Sequence, residues 1–425
     1  MAYSSLANCV ADLRATERLR VIETPLDPNQ EIPAIQRRAF AADSPALLFS
    51  RPLGCSFPLL ANLFGTRERV NYIFRDALDN LKFLFRAKAD FTASLRSPFK
   101  LLKSLAATRY ARTRGDGFWE TRKKPPVLEC QCPKSGLPRL VSWPGDGGAF
   151  ITLPLVYSED SRGRPNLGMY RVQLTGGDYE DDEAGLHYQI HRGIGAHHAE
   201  ALAKGEDLPV HIYVGGPPAL TIAAVMPLPE GMSEIAFAGY LGGRPVRVAR
   251  KPGLPLPLLA DCDFAIVGSI GAGIKPEGPF GDHLGYYSLK HDFPYIKIDK
   301  IYHRRDAIWP FTTVGRPPQE DTIFGDLIHE LTSPLVGQVF PGIREVRAVD
   351  AAGVHPLLLA IGEERYAPYE REKRPRELLT SAFHLLGATQ TSLAKYLLIA
   401  GDSPGLSVGD ISAFFRHMLE RTDFP

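Results

Sequence analysis

The sequence has no apolar run approaching the roughly 20 residues that cross a bilayer as a helix, and Met1 to Glu23 holds no apolar signal core. A soluble, cytoplasmic chain is therefore expected, with attachment to a membrane surface left open. Cysteine is scarce: the 5 residues Cys9, Cys55, Cys130, Cys132 and Cys262 are an odd number that suits a reducing compartment better than a disulfide framework. Cys130 and Cys132 form one close pair, with no second pair to complete a tetrahedral zinc site. Net charge is also nearly absent, at 49 Lys+Arg against 48 Asp+Glu, so no global field argues for nucleic acid. There is no phosphate-cradling lysine loop and no Gly-x-Ser-x-Gly turn to present a serine nucleophile. A dinucleotide reading of Phe264 to Gly273, a strand followed by glycines, fails as well. Lys275, Pro276, Gly278 and Pro279 stand where the phosphate-binding helix should begin.

What is present is an ordinary globular composition, 44% hydrophobic and 23% charged, over 425 residues. Such a length suits about two or three domains. The 36 prolines and 39 glycines imply many turns and short elements. Helical spacing over Leu6 to Leu19 and Glu31 to Ala42 alternates with strand-like runs at Leu19 and Pro45, predicting a small α/β domain at the front. From Arg67 to Arg114 the period is helical and basic residues outnumber acids. Leu81 to Arg86 and Phe99 to Leu105 are amphipathic, which suits a solvated helical face or contact with a membrane surface or lipid-tailed substrate. Short strands and frequent turns from Val127 to about Pro310 predict an antiparallel barrel or sandwich. After Arg316 a helix (Thr322 to Leu331), a strand near Pro356, a helix (Arg376 to Gly387) and a strand (Tyr396 to Ala400) predict a second α/β domain. The expected boundaries are 1–114, 115–318 and 319–425.

The most informative stretch is Glu277-Gly-Pro-Phe-Gly-Asp282-His-Leu-Gly-Tyr-Tyr287. Two carboxylates lie in a Gly/Pro loop among aromatic residues, an arrangement that can split an acid pair into proton donor and ion. Two solvated acids in a tight turn are the plain alternative. Asn166, Gly168 and Arg171 offer an amide oxygen, a close backbone approach and a cationic fork. His187, His191, His197 and His198 form a histidine-rich stretch, and Glu234 is an acid ahead of an apolar run. Asparagine oxygen, imidazole and carboxylate together would suit a divalent ion such as Mn²⁺, although no local spacing rule joins them. Zinc on His187 and His191 would need one helix face, which Gly193 and Gly195 disfavour.

Asn166-Leu-Gly-Met-Tyr-Arg171, His191-Arg-Gly, Met226-Pro-Leu-Pro-Glu-Gly-Met-Ser-Glu234, Glu277 to Tyr287 and Gly315-Arg-Pro-Pro stand in one order along the chain. With Pro45-Ala-Leu-Leu-Phe and Leu60-Ala-Asn-Leu-Phe-Gly-Thr, they resemble the UbiD family of prenylated-flavin-dependent decarboxylases over nearly the whole chain.

The resemblance implies an α+β fold, with a central split β-barrel like that of flavin reductases between N-terminal and C-terminal α/β domains. It implies that Asn166, His191 and Glu234 hold Mn²⁺, which in turn grips the phosphate of prenylated FMN. K⁺ would sit on carbonyls around Ala224 to Met226. Gly168, Met169, Met226 and Lys395 would also meet the cofactor, Lys395 at its phosphate. Arg171, Glu277 and Asp282 would form the catalytic network, with Asp282 delivering a proton to the carbon that loses CO₂. Many relatives carry Glu where this chain has Asp282. The implied reaction is non-oxidative decarboxylation of an aromatic or α,β-unsaturated acid, with 3-polyprenyl-4-hydroxybenzoate of ubiquinone biosynthesis the first expectation. A naphthoate precursor of menaquinone is the second, and a catalytically silent flavin-binding or assembly subunit is the alternative of another class. Expected partners are a flavin prenyltransferase and further copies of the chain. Family chains generally run past the position of Pro425, so a truncated form is also an expectation.

Overall fold

Val, Ile, Phe and Tyr set in short runs between Gly and Pro turns favour extended chain, and the middle of the protein is built as one large sheet. The computed structural model describes residues 2–111, 114–118 (backbone only), 124–188, 193–228, 232–365, 369, 371, 374–388 and 391–422. The sheet runs in the order Phe150–Ile151, Val172–Gln173, Glu183–Leu186, His291–His303, Phe264–Glu277, Leu208–Val214, Pro154–Glu159 and Pro165–Gly168, with Cys130–Gln131 paired to His291–His303 off this path. All of these pairings are antiparallel. Among the described residues nothing pairs the first strand with the last, so the sheet is open and the expected barrel closure is not found. The mixed α/β character is as expected.

The two longest strands, of 14 and 13 residues, form the central hairpin, with Glu277 opposite His291 at its tip. Register slips between Val267 and Gly268 and between Ile270 and Ile274 bend it. The front of the chain adds a four-stranded sheet in the order Leu19–Ile22, Ala46–Phe49, Leu59–Ala61 and Trp309–Phe311. The last of these returns after the hairpin to pair in parallel with Leu59–Ala61. Its Trp309 ring meets Phe264 edge-on at 4.9 Å, and Phe264 meets Phe57 at 4.8 Å. That aromatic contact joins the front sheet to the hairpin inside one compact unit, made of Met1–Asn80, Leu105–Asp282 and Tyr286–Gly315.

A second compact unit comprises Leu81–Ser104, His283–Gly285 and Arg316–Pro425. Its sheet pairs Ile343–Ala348 antiparallel and Tyr396–Gly401 parallel with the central Leu357–Gly362. Alternate residues of the central strand serve two cores. Leu359 and Ile361 pack with Phe414 of the helix Ile411–Leu419, and Ala360 with Leu385 of the helix Glu377–Gly387. Helix on both faces explains why the strand reads as a continuous apolar run. No helix among the described residues is long and apolar enough to cross a membrane.

Phe264 is fully buried between two aromatic neighbours. Phe264→Ala is expected to cost about 3–5 kcal/mol by leaving a cavity where sheet meets hairpin, read as a lower urea midpoint. A loss below about 1 kcal/mol would mean that the two sheets collapse onto the gap.

Candidate active site

Arg171 directly precedes the strand Val172–Gln173, and His187 directly follows Glu183–Leu186. The ladder that pairs Gly185 with Gln173 is extended by His187 N–H donating to Arg171 O at 3.1 Å. The two side chains thus start as cross-strand neighbours. Glu277 closes the long strand opposite His291, and its side chain is 1% exposed. Arg171 Nε and Nη2 donate to its two oxygens, each at 2.8 Å, in the bidentate geometry that matches guanidinium to carboxylate. The same guanidinium reaches Asp282 Oδ2 at 3.4 Å and lies over the Phe280 ring, 4.7 Å from its centroid. Burial pushes the Glu277 carboxyl up, but His187 and the Arg171 guanidinium outweigh it and hold it down at about 2. Asp282 is 35% exposed. The two acids of one loop therefore occupy different environments, one locked as an anion inside the sheet and one at the surface of the site.

His187 Nδ1 lies 3.1 Å from Arg171 Nη2 and 3.3 Å from Glu277 Oε2, and its ring packs on Phe293 at 4.0 Å. In the neutral ring that nitrogen either accepts from the guanidinium or donates to the carboxylate, according to tautomer.

The loop itself is held by backbone hydrogen bonds. Buried Gln173 accepts from Gly278 N–H at 2.8 Å and donates to the carbonyls of Gly147 and Thr175, each at 3.1 Å. Asp146 accepts from Gly281 N–H at 2.8 Å, and its other oxygen from Ser142 and Trp143 N–H at 3.0 and 2.9 Å. Ser288 Oγ accepts from Phe280 N–H at 3.2 Å and from Arg171 Nη2 at 3.4 Å. Gly278 has φ +93, and a Cβ on Gly281 would fall 2.2 Å from the Trp143 ring. Glycine is needed at the first for its backbone angle and at the second for space.

A second cluster surrounds Asn166. It lies on the strand Pro165–Gly168, and its Nδ2 is buried without a hydrogen-bond partner among the described residues. A Cβ on Gly193, the first residue of the helix Gly193–Ala203, would fall 2.1 Å from Asn166 Oδ1. Glu234 begins the helix Glu234–Leu241, capped by Ser233. Burial raises its carboxyl, and the backbone amides of Glu234 and Leu167 pull it back. The Leu167 amide thus places Glu234 beside Asn166. The pair offers an amide oxygen and a carboxylate, ligands that fit a hard divalent ion, while the unpartnered Asn166 Nδ2 is a donor that calls for an acceptor such as a phosphate oxygen rather than a cation.

Sequence reasoning named Arg171, Glu277 and Asp282, and these come together. Asn166 and Glu234 come together as well, while His191 falls outside the described residues. Ala224 O accepts from Met169 N–H at 3.1 Å, and Met226 ends the helix Pro218–Val225. Gly168 makes room for the Tyr170 ring, which a Cβ there would meet at 2.5 Å. Lys395 is exposed and belongs to the second compact unit. Asp146 and Ser288 were missed; the only local sign of Asp146 is its place in the turn Trp143-Pro-Gly-Asp146-Gly-Gly148. His187 enters the sequence reading only as a candidate zinc ligand.

Three models of 3-octaprenyl-4-hydroxybenzoate carboxy-lyase match the chain: the N-terminal domain at residues 10–88, the Rift-related domain at 122–317 and the C-terminal domain at 322–425. A protein of Chlamydia pneumoniae, named as one subunit of a 4-hydroxybenzoate decarboxylase, is 43% identical over 423 residues, covering 98% of this chain and 69% of that one. An uncharacterized protein of Helicobacter pylori is 31% identical over 433 residues, covering 96% and 66%. Among solved structures, vanillic acid decarboxylase of Sedimentibacter hydroxybenzoicus in its closed form aligns with a TM-score of 0.80 at 20% identity, covering 99% of this chain and 85% of that one. The UbiD-class enzyme HmfF of Pelotomaculum thermopropionicum, in an evolved dimeric form with prFMN, aligns at 0.73 and 20%, covering 99% and 90%. These two are likenesses of fold. The chain belongs to the UbiD family of carboxy-lyases.

Proposed function

We propose that this protein decarboxylates an aromatic acid without net oxidation, using prenylated FMN, and that its substrate is 3-polyprenyl-4-hydroxybenzoate in ubiquinone biosynthesis. The observation that carries the reading is the inequality of the two acids. Arg171 fixes Glu277 as an anion, which leaves Asp282 to cycle a proton. Asn166, Glu234 and His191 would hold Mn²⁺ and through it the cofactor phosphate, with K⁺ on carbonyls around Ala224 to Met226 and with Gly168, Met169 and Lys395 as further contacts. When bound, the flavin supplies the electron sink for the charge left as CO₂ departs. Asp282 then gives its proton to that carbon and regains one from solvent, so the ring exchanges CO₂ for hydrogen. Arg171 orients Asp282 through the 3.4 Å contact and draws in the anionic substrate. The Phe280 ring beneath the guanidinium keeps water from its underside.

The proposed division of labour is 1–114, 115–318 and 319–425, with the open antiparallel sheet of the middle segment carrying the cofactor. The protein would act in the cytoplasm as a homo-oligomer supplied by a flavin prenyltransferase. The deciding experiment is CO₂ release from a panel of acids by protein co-expressed with a flavin prenyltransferase and given Mn²⁺ and K⁺. Release from a polyprenyl-hydroxybenzoate supports the reading, and release from a naphthoate alone moves the substrate to menaquinone biosynthesis. Bound cofactor with no release from any acid favours a silent flavin-binding role.

Asp282→Asn is expected to lower turnover by about 10²–10⁴-fold while the bound-flavin spectrum is retained; near-normal turnover would remove Asp282 from the proton step. Glu277→Gln leaves the Arg171 charge only the longer 3.4 Å contact with partly exposed Asp282 and is expected to cost about 3–5 kcal/mol in urea denaturation. Because the folded Glu277 titrates below its unfolded value, its ionic contribution is complete above about pH 5. It fades as pH falls toward about 2, so the gap between wild type and Glu277→Gln should narrow on acidification; a constant gap would contradict the ion pair. Asn166→Leu and Glu234→Gln should each weaken Mn²⁺ binding at least about tenfold, read by electron paramagnetic resonance of the metal alone. Unchanged binding would place the metal elsewhere.

A further inference from the structure

The helix Pro98–Ala107 turns its apolar side chains to water. Phe99 is 86% and Leu102 65% exposed, whereas Ser104 is buried. At 3.6 residues per turn Phe99 and Leu102 lie within about 60° of each other, with Lys103 and Lys100 next around the helix. Just upstream, Phe91 and Leu95 are exposed too. An ordinary surface helix does the reverse, turning its apolar stripe inward. The segment Leu81–Ser104 contains Lys82, Arg86, Lys88, Arg96, Lys100 and Lys103 against the single acid Asp90. Lys82 is paired with Glu330 at 2.7 Å, while Arg96, Lys100 and Lys103 have no ion pair among the described residues.

We propose that this face docks on an anionic phospholipid surface. Phe91, Leu95, Phe99 and Leu102 enter the boundary between headgroups and acyl chains, and Arg96, Lys100 and Lys103 meet the lipid phosphates. Exposed aromatic and aliphatic side chains flanked by cations are the signature of a helix lying in a membrane interface. The charge decides against a second copy of the chain on the same face, since a two-fold contact would set these cations against each other. A neutral bilayer would satisfy only the apolar half.

The test is flotation of the full chain with vesicles of phosphatidylcholine alone or mixed equally with phosphatidylglycerol. Binding is expected to the mixed vesicles only and to fall as salt is raised. Lys100→Glu/Lys103→Glu and, separately, Phe99→Ser/Leu102→Ser should each reduce binding at least about tenfold. Melting temperatures should stay unchanged, because the side chains are exposed. No binding to the anionic vesicles, or binding that both variants retain, overturns the proposal. A smaller particle in light scattering for Phe99→Ser/Leu102→Ser overturns it in favour of a self-association surface.

Discussion

Taking Glu277 out of water costs several kcal/mol, and two arms of one guanidinium at 2.8 Å offset that cost. The sheet sets both partners of this pair in place. Arg171 leaves the end of one strand, Glu277 the end of another, and both strands are stitched into the same antiparallel sheet. A bidentate contact tolerates little error, which explains why so much of the surrounding hydrogen bonding is spent on backbone. Gln173 holds Gly278, Asp146 holds Gly281, and Ser288 holds Phe280 while touching the guanidinium itself. Asp146 illustrates the strain of this design: burial pushes its carboxyl up, and three backbone N–H groups work against that.

From this frame comes the difference between the two acids. Glu277 sits where the hairpin still has ladder partners, so the sheet encloses it. Asp282 lies beyond Gly278, Pro279 and Gly281, where the chain has turned back and its backbone N–H is tied to Tyr286 O at 3.1 Å. Four residues of Gly/Pro-rich loop thus set two acids in two different environments. The Asn166 and Glu234 cluster is tethered to the same frame, because Asn166 and Arg171 are five positions apart and the chain between them spans at most about 18 Å.

Much of this was legible in the sequence, for physical reasons. Acids flanked by Gly, Pro and aromatic residues advertise a constrained loop, so Glu277 and Asp282 stand out without a structure. The residues that position them do not, since Asp146 and Ser288 act through amides more than a hundred positions away or across a turn, and no local pattern records such contacts. The same divide runs through the fold. Leu357–Gly362 reads as a strand because a buried strand is continuously apolar, and Tyr396–Gly401 shares that apolar run although it is only partly buried. Ile343–Ala348, by contrast, was missed because Arg344, Glu345 and Arg347 break its pattern. That the sheet stays open, and that Trp309–Phe311 joins the front sheet, are facts of long-range pairing that short-range periodicity does not encode.

Periodicity also fixes which residues share a helix face without fixing what that face meets. Ile411–Leu419 and Pro98–Ala107 are both short helices with an apolar face that includes Phe and Leu. In the first, Phe414 is fully buried against Leu359 and Ile361. In the second, Phe99 stands in solvent with lysines beside it. The sequence difference is in the neighbours: the first helix follows a continuously apolar strand that needs covering, and the second lies in a basic stretch. An amphipathic reading therefore becomes a statement about partners only when the charge around the apolar face is weighed with it. By that measure one face serves the protein's own sheet, and the other has the charge that the proposed anionic surface requires.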